Sequence, residues 1–411
     1  MAITTSWPAD YGRDLGPSSS ESITSEAIGH AEDISDIITN IDPDLTYFLS
    51  RFGAGPNCES LSFSWLTEGL KPPKVNAHLE KEDYTSEKVG SLEGMENNVQ
   101  KFVSSGYVTD WQEKIKKVYK EDEISRQLTN LYTQHARDIE YAIVNNDQRR
   151  TESGSGENAV AALTGGVPYF MKTQTQAVTV DAPNDTFTTS AAHNLNTGDF
   201  VYLSAATMPE DTAKGTIYYV RLDATNPATK FTLYHTQKGA IENVAADKVN
   251  ATSTGTAVVI VKNNVLDLSG TQNTTFTLAD VDKVMEMCFQ RGGNPTVAVM
   301  SPANKRIFSK NVTAATTINR GMTKDRRLEL VADVVQTDYG VITAEPHRLY
   351  PDNRVDFIDL NYWNLRWLDR THEVQGLPKK GSYKEFVIES SLGLEGTQPK
   401  ASGSLVNVPR P

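Results

Sequence analysis

The chain is short of the residues that chemistry needs in clusters. Only two of its 411 residues are cysteines, Cys58 and Cys288, far apart in sequence. That excludes a disulfide framework and a cysteine-built tetrahedral zinc site, and both read as buried thiols. Positive charge is in deficit: 40 Lys and Arg against 52 Asp and Glu leave a net charge of -12. No general basic surface exists to neutralise phosphates, which leaves at most a local patch for nucleic acid. No apolar run is long enough to span a bilayer, and the opening "MAITTSWPADYGRDLG" lacks a charged leader followed by an apolar stretch. The expectation is a protein kept in a cytosol or released by lysis. Catalytic signatures are missing too: there is no nucleophile elbow, phosphate loop opening a helix, zinc helix motif or calcium loop. "TESGSGEN" alternates glycine but lacks the lysine of a phosphate loop and opens no apolar helix in the required register, so it reads as a linker. No catalytic residue, metal ligand or cofactor site is assigned.

What is present is a composition, 38% hydrophobic and 22% charged, able to bury a sizeable core in a few compact units. The first twenty or so residues are rich in Ser, Pro, Gly and Asp without period and read as an extended arm. In "ESITSEAIGHAEDISDIITN", Ile23, Ala27, Ile28, Ala31, Ile34, Ile37 and Ile38 recur at helical spacing, and Asp42-Pro43 stops the run. Leu61, Phe63 and Trp65 then alternate with serines as a half-buried strand, and Val99 to Val108 can return beside it. Between them lies a polar excursion tipped by Pro72-Pro73. Such a length of uncompacted chain reaches for something outside its own core.

Gln112 to Asn146 reads as one long helix, a strut of about 50 Å if unbroken. Ile124, Leu128, Leu131, His135, Ile139 and Ala142 form its stripe, and His135 reads as a packed histidine because no second ligand sits one turn away. From Lys172 to Lys262 the texture changes to short alternating runs such as "DFVYLS", "TIYYVRL" and "KFTLYH", separated by Gly, Asn, Asp and Pro. This predicts a small all-β barrel or sandwich inserted into a host. The host resumes with a Thr277-capped helix, the buried strand "PTVAVMSP", the short helix "ANKRIFSKN" and a succession of late strands that includes "DFIDLNYWNLRWL". In that stretch Phe357, Trp363 and Trp367 are expected to pack between a sheet and the long helix, with Leu128 and Leu131 on the helix side. Helices and strands segregate, so the fold class is α+β. "KDRR", Lys324 to Arg327, reads as a solvated loop or a salt-bridging contact.

The order of these parts resembles the major capsid proteins of tailed bacteriophages, with the HK ninety-seven-like shell fold that herpesviruses share. The residues carrying the likeness are "IDPDLTYFLSRFG", where Tyr47 stands in place of a proline, then "FSWLTEGL", "ARDIEYAIVNN", "GGNPTVAVMSPANKRIF", "DYGVITAEPHRLYP", "VDFIDLNYWNLRWL" and "VIESSLGLEG". The inserted "AAHNLNTGDFVYLSAATMPE" and "GTIYYVRLDATNPATKFTLYHTQKGA" resemble a β module of phage structural proteins. The likeness implies an N-terminal arm with a short helix (1–56) and an extended β-hairpin loop (57–110). It further implies a peripheral domain with the long helix (111–150 and 345–411), an axial domain (151–171 and 263–344) and the inserted all-β domain (172–262). Trp65, Lys71, Pro72, Pro73 and Lys74 of the extended loop, and Glu373, Lys379 and Lys380 of the peripheral loop, become candidate inter-subunit contacts. The implied partners are copies of the chain in hexamers and pentamers, portal and scaffolding proteins, and packaged double-stranded DNA held without specific binding. No membrane is implied. The implied place is the virion capsid, assembled in host cytoplasm, with the insertion outside and no enzymatic activity. Two readings from other classes stand beside it: a tail or adhesin protein carrying the same β module, and a hydrolase with a β accessory domain.

Overall fold

The structure is a computed structural model and describes residues 46–70, 73, 77–81, 83, 90–115, 123–155, 159–172, 175–269, 275–315, 334–379 and 381–409. The arm with its Ile23 to Ile38 stripe, the "KDRR" stretch and most of the proline-tipped excursion lie outside these residues. In chain order, α1 (Tyr47–Arg51) and β1 (Gly53–Ala54) lead to β2 (Ser62–Leu70), β3 (Gly90–Asn98), β4 (Gln100–Thr109), α2 (Asp110–Lys114), α3 (Glu123–Asn145) and α4 (Val167–Phe170). The insertion follows as β5 (Thr175–Asp181), β6 (Thr186–Thr189), β7 (Phe200–Ser204), β8 (Ile217–Leu222), β9 (Lys230–Tyr234), α5 (Gln237–Glu242) and β10 (Val259–Val261). The host then returns with β11 (Val265–Asp267), α6 (Leu278–Gln290), β12 (Val297–Met300), α7 (Pro302–Ala315), β13 (Val334–Thr337) and β14 (Gly340–Pro346). It ends with β15 (Arg354–Ile358), β16 (Trp363–Glu373), β17 (Tyr383–Gly396) and β18 (Gly403–Val406).

These strands make a four-stranded sheet in the order β1-β16-β17-β4, a six-stranded sheet in the order β11-β18-β15-β12-β14-β13, a closed barrel of β10-β5-β6-β9-β8-β7, and the separate hairpin β2-β3. Helix α3 lies on the four-stranded sheet, where Leu131, with Leu128 half-buried beside it, meets Val108, Phe386 and Ile388. Helix α6 covers the six-stranded sheet. It starts on a capping box, in which the Thr277 hydroxyl accepts from the Asp280 amide and the Asp280 carboxylate accepts from the Thr277 amide, so two orphan donors of the first turn are satisfied. It stops at Gly292, whose φ of +77° is open to glycine and strained for other residues.

The expected strut is shorter than its pattern. Ile115 is already extended, so α2 ends there, and α3 begins at Glu123; its 23 residues run about 35 Å. "DFIDLNYWNLRWL" is also not one strand. It is cut by a turn of 3-10 helix at Leu360–Tyr362, with β15 in the six-stranded sheet and β16 in the four-stranded one. Phe357 therefore packs under α6 and α7, with Val281, Val284 and Phe308, and not against the long helix as expected. Its neighbour Ile358 points the opposite way into the core that holds Ile139, Ile143 and Trp363, because successive side chains of a strand face opposite sides. Trp363 lies in that core: it is fully buried, stacks on Phe52 at 5.9 Å and meets the edge of Phe170 at 5.6 Å. Trp367 lies half-buried on the margin of the same core. The domain limits shift with these strands. β15 and β18, inside the expected peripheral segment, belong to the six-stranded sheet, and β4, inside the expected loop, belongs to the four-stranded one.

The insertion is a closed barrel around Phe187, Val201, Leu203, Val220, Phe231, Leu233 and Ile260. It is seated firmly on its host. Tyr202 and Val261 leave the barrel to enter the core beneath α6, and the Arg291 guanidinium at the end of α6 lies 4.3 Å from the centroid of the Phe200 ring.

The histidine of α3 ties helix to sheet. His135 is buried, with Nδ1 2.9 Å from the Ser104 hydroxyl on β4 and Nε2 2.7 Å from the Ser390 hydroxyl on β17. Burial holds its pKa below the ordinary value, and Asp138 pulls weakly the other way. Above about pH 6.5 the ring is neutral in both native and unfolded chains, and it adds no pH dependence. Below that, the unfolded chain takes up a proton that the native ring resists, so stability falls as pH drops through about 6.5 towards the depressed native value. Thermal melting of the wild type should therefore lose more between about pH 7.5 and about pH 5.5 than melting of His135→Gln; equal losses would remove His135 as a source. Trp363→Ala should cost about 3–5 kcal/mol in denaturant titrations, because it empties a site where three aromatic rings meet.

Candidate assembly interfaces

The hairpin β2-β3 is fixed at its root and bare along its length. At the root Trp65 donates its indole N–H to the Gly396 carbonyl at 3.1 Å, stacks on Phe63 at 5.7 Å and leans on Phe170 at 5.9 Å. Asn97, wholly buried, donates to the Gly165 carbonyl at 2.9 Å and the Leu394 carbonyl at 2.6 Å, and accepts from the Gly165 amide at 2.8 Å. Phe63 lies so close to Gly393 that a Cβ there would sit 2.5 Å from its ring. The Trp65 indole and the Asn97 side chain are thus both placed by their own subunit. Trp65, expected among the inter-subunit contacts, is a half-buried anchor of the hairpin within its own chain.

Beyond the root the opposite face of the ribbon carries Leu66 and Leu92, 70% and 65% exposed. Glu68 stands directly across from Leu92, and Gly94 across from Leu66. A two-stranded ribbon is marginal in water by itself and needs a partner along its apolar face. Pro73 is exposed near the tip, while Lys71, Pro72 and Lys74 lie outside the described residues.

The loop between β16 and β17 forms the far end of the four-stranded sheet. Glu373 pairs with Ile388 in the ladder and is half-buried. Lys379 reaches Asp110 of α2 at 2.8 Å, and Lys384 reaches Glu113 at 2.9 Å. The lysine expected to meet another subunit therefore has a carboxylate of its own chain, and it holds Asp110 below the usual carboxylate range. Lys380 lies outside the described residues. Trp111 of α2 and Ile115, which caps it, are 76% and 61% exposed; a lone Trp in a helix pattern carries no signal of its own in the sequence until the burial of its neighbours is known.

The end of the arm is held by a carboxylate. Glu140 of α3, fully buried, accepts from the amides of Phe48 at 2.8 Å and Leu49 at 3.0 Å, and its other contact is the His347 ring at 3.1 Å. Arg51 extends the seat through Glu345 at 2.8 Å. Glu140 lies off the apolar stripe of α3, and a buried carboxylate is visible only once its donors are in place.

Cys288 is pushed up to about 12 by burial, and burial also raises Cys58, so neither thiol is an activated nucleophile. Among the described residues no group of three or more His, Cys, Asp or Glu side chains is placed to hold a metal ion. His193 accepts from the Leu195 amide at 3.1 Å, and His235 stands 3.5 Å from Asp211. Among the described helices none is long and apolar enough to cross a membrane. Between the barrel and α6 lies a cleft of about 270 Å³, lined by Tyr219, His235, Lys283, Glu286 and Gln290, below the size of most small-molecule sites.

No curated protein matches this sequence. Among solved structures, the capsid asymmetric unit of cyanophage A-1(L) aligns with a TM-score of 0.52 at 10% identity, over 92% of this chain and 97% of that one. The capsid of a native GTA particle aligns at 0.48 and 9% identity over 95% and 100%. That of Myoviridae phage XM1 aligns at 0.47 and 12% over 94% and 99%. At these identities the likeness speaks for the fold alone, and the first score is the one that carries it. The family match reaches further: over residues 18–409 this chain belongs to the SU10 major capsid protein family, and with its HK ninety-seven-like fold it is a major capsid protein of a tailed phage, a structural subunit of the icosahedral shell.

Proposed function

We propose that the subunit assembles with itself into hexamers and pentamers that close around double-stranded DNA, and that the β2-β3 hairpin lies across a neighbouring copy. The observation that carries this is the contrast between the two faces of the hairpin. One is locked to its own subunit by Trp65 and Asn97, and the other presents Leu66 and Leu92 to solvent. A chain that spends two leucines on an unsupported ribbon gains from them only when a second molecule covers the ribbon. The arm is assigned the same role over the residues that precede α1, which Glu140 holds to its own subunit. The peripheral loop with Glu373, Lys379 and Lys380 is assigned a charged rim between copies.

Many such contacts need be only moderately strong, because closure of a shell makes each later contact intramolecular. The net charge of -12 leaves the packaged DNA without a general electrostatic trap, so DNA is held by enclosure. The barrel is assigned to the outside of the shell, where it stabilises or decorates; portal and scaffolding proteins are the expected assembly partners in host cytoplasm, and no enzymatic step is assigned. Leu66→Asp should change subunit melting by no more than about 0.5 kcal/mol, since the side chain is exposed, while lowering assembly about tenfold or more in size-exclusion chromatography and negative-stain counts. Full assembly of that variant would end the role given to the hairpin, and a monodisperse small oligomer from the wild type would end the proposal that the chain closes hexamers and pentamers into a shell by itself.

A further inference from the structure

The short helix α2 is an unusual use of side chains. It follows β4 directly, is capped by the Thr109 hydroxyl, which accepts from the Gln112 amide at 3.2 Å, and ends after one turn. Two ion pairs pin it to the end of the four-stranded sheet: Asp110 to Lys379 and Glu113 to Lys384. Asp110 and Glu113 are three residues apart and share one face of the turn; Trp111 and Ile115 are four apart and share the face roughly opposite. The pinning therefore decides what the other side shows, which is an indole 76% exposed and an isoleucine 61% exposed. Nearby on the outer face of β4, Tyr107 is 64% exposed and meets Tyr383 edge-on at 5.8 Å. Large aromatic anchors within a charged rim are the composition of an interface centre.

We propose that the Trp111 and Ile115 face of α2 is a docking surface for a second copy of this chain, meeting it through the same tip of the sheet. This rests on the shell reading given above and deepens it by naming the anchor. The rim identifies the occupant. Lys114, Lys379 and Lys384 stand beside Asp110 and Glu113, so the tip carries both signs at close range and is complementary to itself. A polyanion would meet the carboxylates, and a purely basic partner would meet the lysines. Copies that each carry -12 repel at a distance, so the contact that joins them has to be short-ranged and apolar, with charges paired around it. In this arrangement the peripheral-loop lysines act on their own α2. They hold the anchor in place, and the anchor makes the contact.

The test uses the full chain in three forms: wild type, Trp111→Ser and Gln112→Cys, which keeps the indole and places a thiol beside it on an exposed position. Wild type and Trp111→Ser are compared by melting and by negative-stain particle counts. The expected result is unchanged melting with association about thirtyfold weaker or more in Trp111→Ser. Gln112→Cys is assembled and treated with a short bismaleimide; Cys58 and Cys288 are buried and should not react, so dimers on a denaturing gel report tip-to-tip proximity. Wild-type particles with full assembly of Trp111→Ser, or with no cross-linked dimers from assembled Gln112→Cys, overturn the proposal and leave the shell reading intact. A wild type that makes no particles overturns both this proposal and the proposed self-assembly of the chain by itself. If Trp111→Ser fails to fold, the cross-link decides alone.

Discussion

One serine hydroxyl holds the place where the two sheets part. The chain leaves β15 in the six-stranded sheet and enters β16 in the four-stranded one within a few residues, and across that corner Ser402 accepts both the Asp359 amide at 3.1 Å and the Trp363 indole N–H at 3.2 Å. Asp359, itself buried, returns the favour to the backbone by accepting from Asn294 and Asn361 amides. The corner fixes how Phe357 and Ile358 divide between two cores and where Trp363 meets Phe52 and Phe170. The hairpin root is built on the same aromatic group, so the direction in which the hairpin leaves the subunit follows from this corner.

Polar groups in the interior work as positioning devices. Asp356 receives Tyr350, Arg354 and Ser404 in one buried cluster on the six-stranded sheet, and Glu140 receives two amides of α1 together with His347. Burying such groups costs several kcal/mol of desolvation each and stabilises little net of that cost; a partly satisfied alternative is far worse. That asymmetry makes the arrangement of segments unique. For a subunit whose copies must fit one another, a unique arrangement matters more than an extra increment of stability.

Much of this was legible from periodicity. The α3 stripe, the Thr277 cap, the wholly buried strand at Val297–Met300 and the all-β insertion all follow from local patterns, since each depends on side chains a few residues apart. The misreadings share a cause. "DFIDLNYWNLRWL" reads as one strand because its Phe, Ile, Tyr and Trp residues favour β structure and outweigh its Asp and Asn, and only pairing with β12 and β18 on one side and β17 on the other shows the break. Trp65 and Trp111 look alike in the sequence; the first is anchored by Gly396, 331 residues away, and the second stands exposed on a helix that two ion pairs hold.

The sequence by itself determined what this protein is made of: an acidic α+β chain with long polar stretches, an inserted β module and no catalytic pattern, because composition and spacing settle local structure and the sign of long-range charge. The tertiary structure decided which side chains are spent inside and which are left out. Burial depends on contacts between residues hundreds of positions apart, and no local pattern encodes whether an exposed face will find its cover within the same chain.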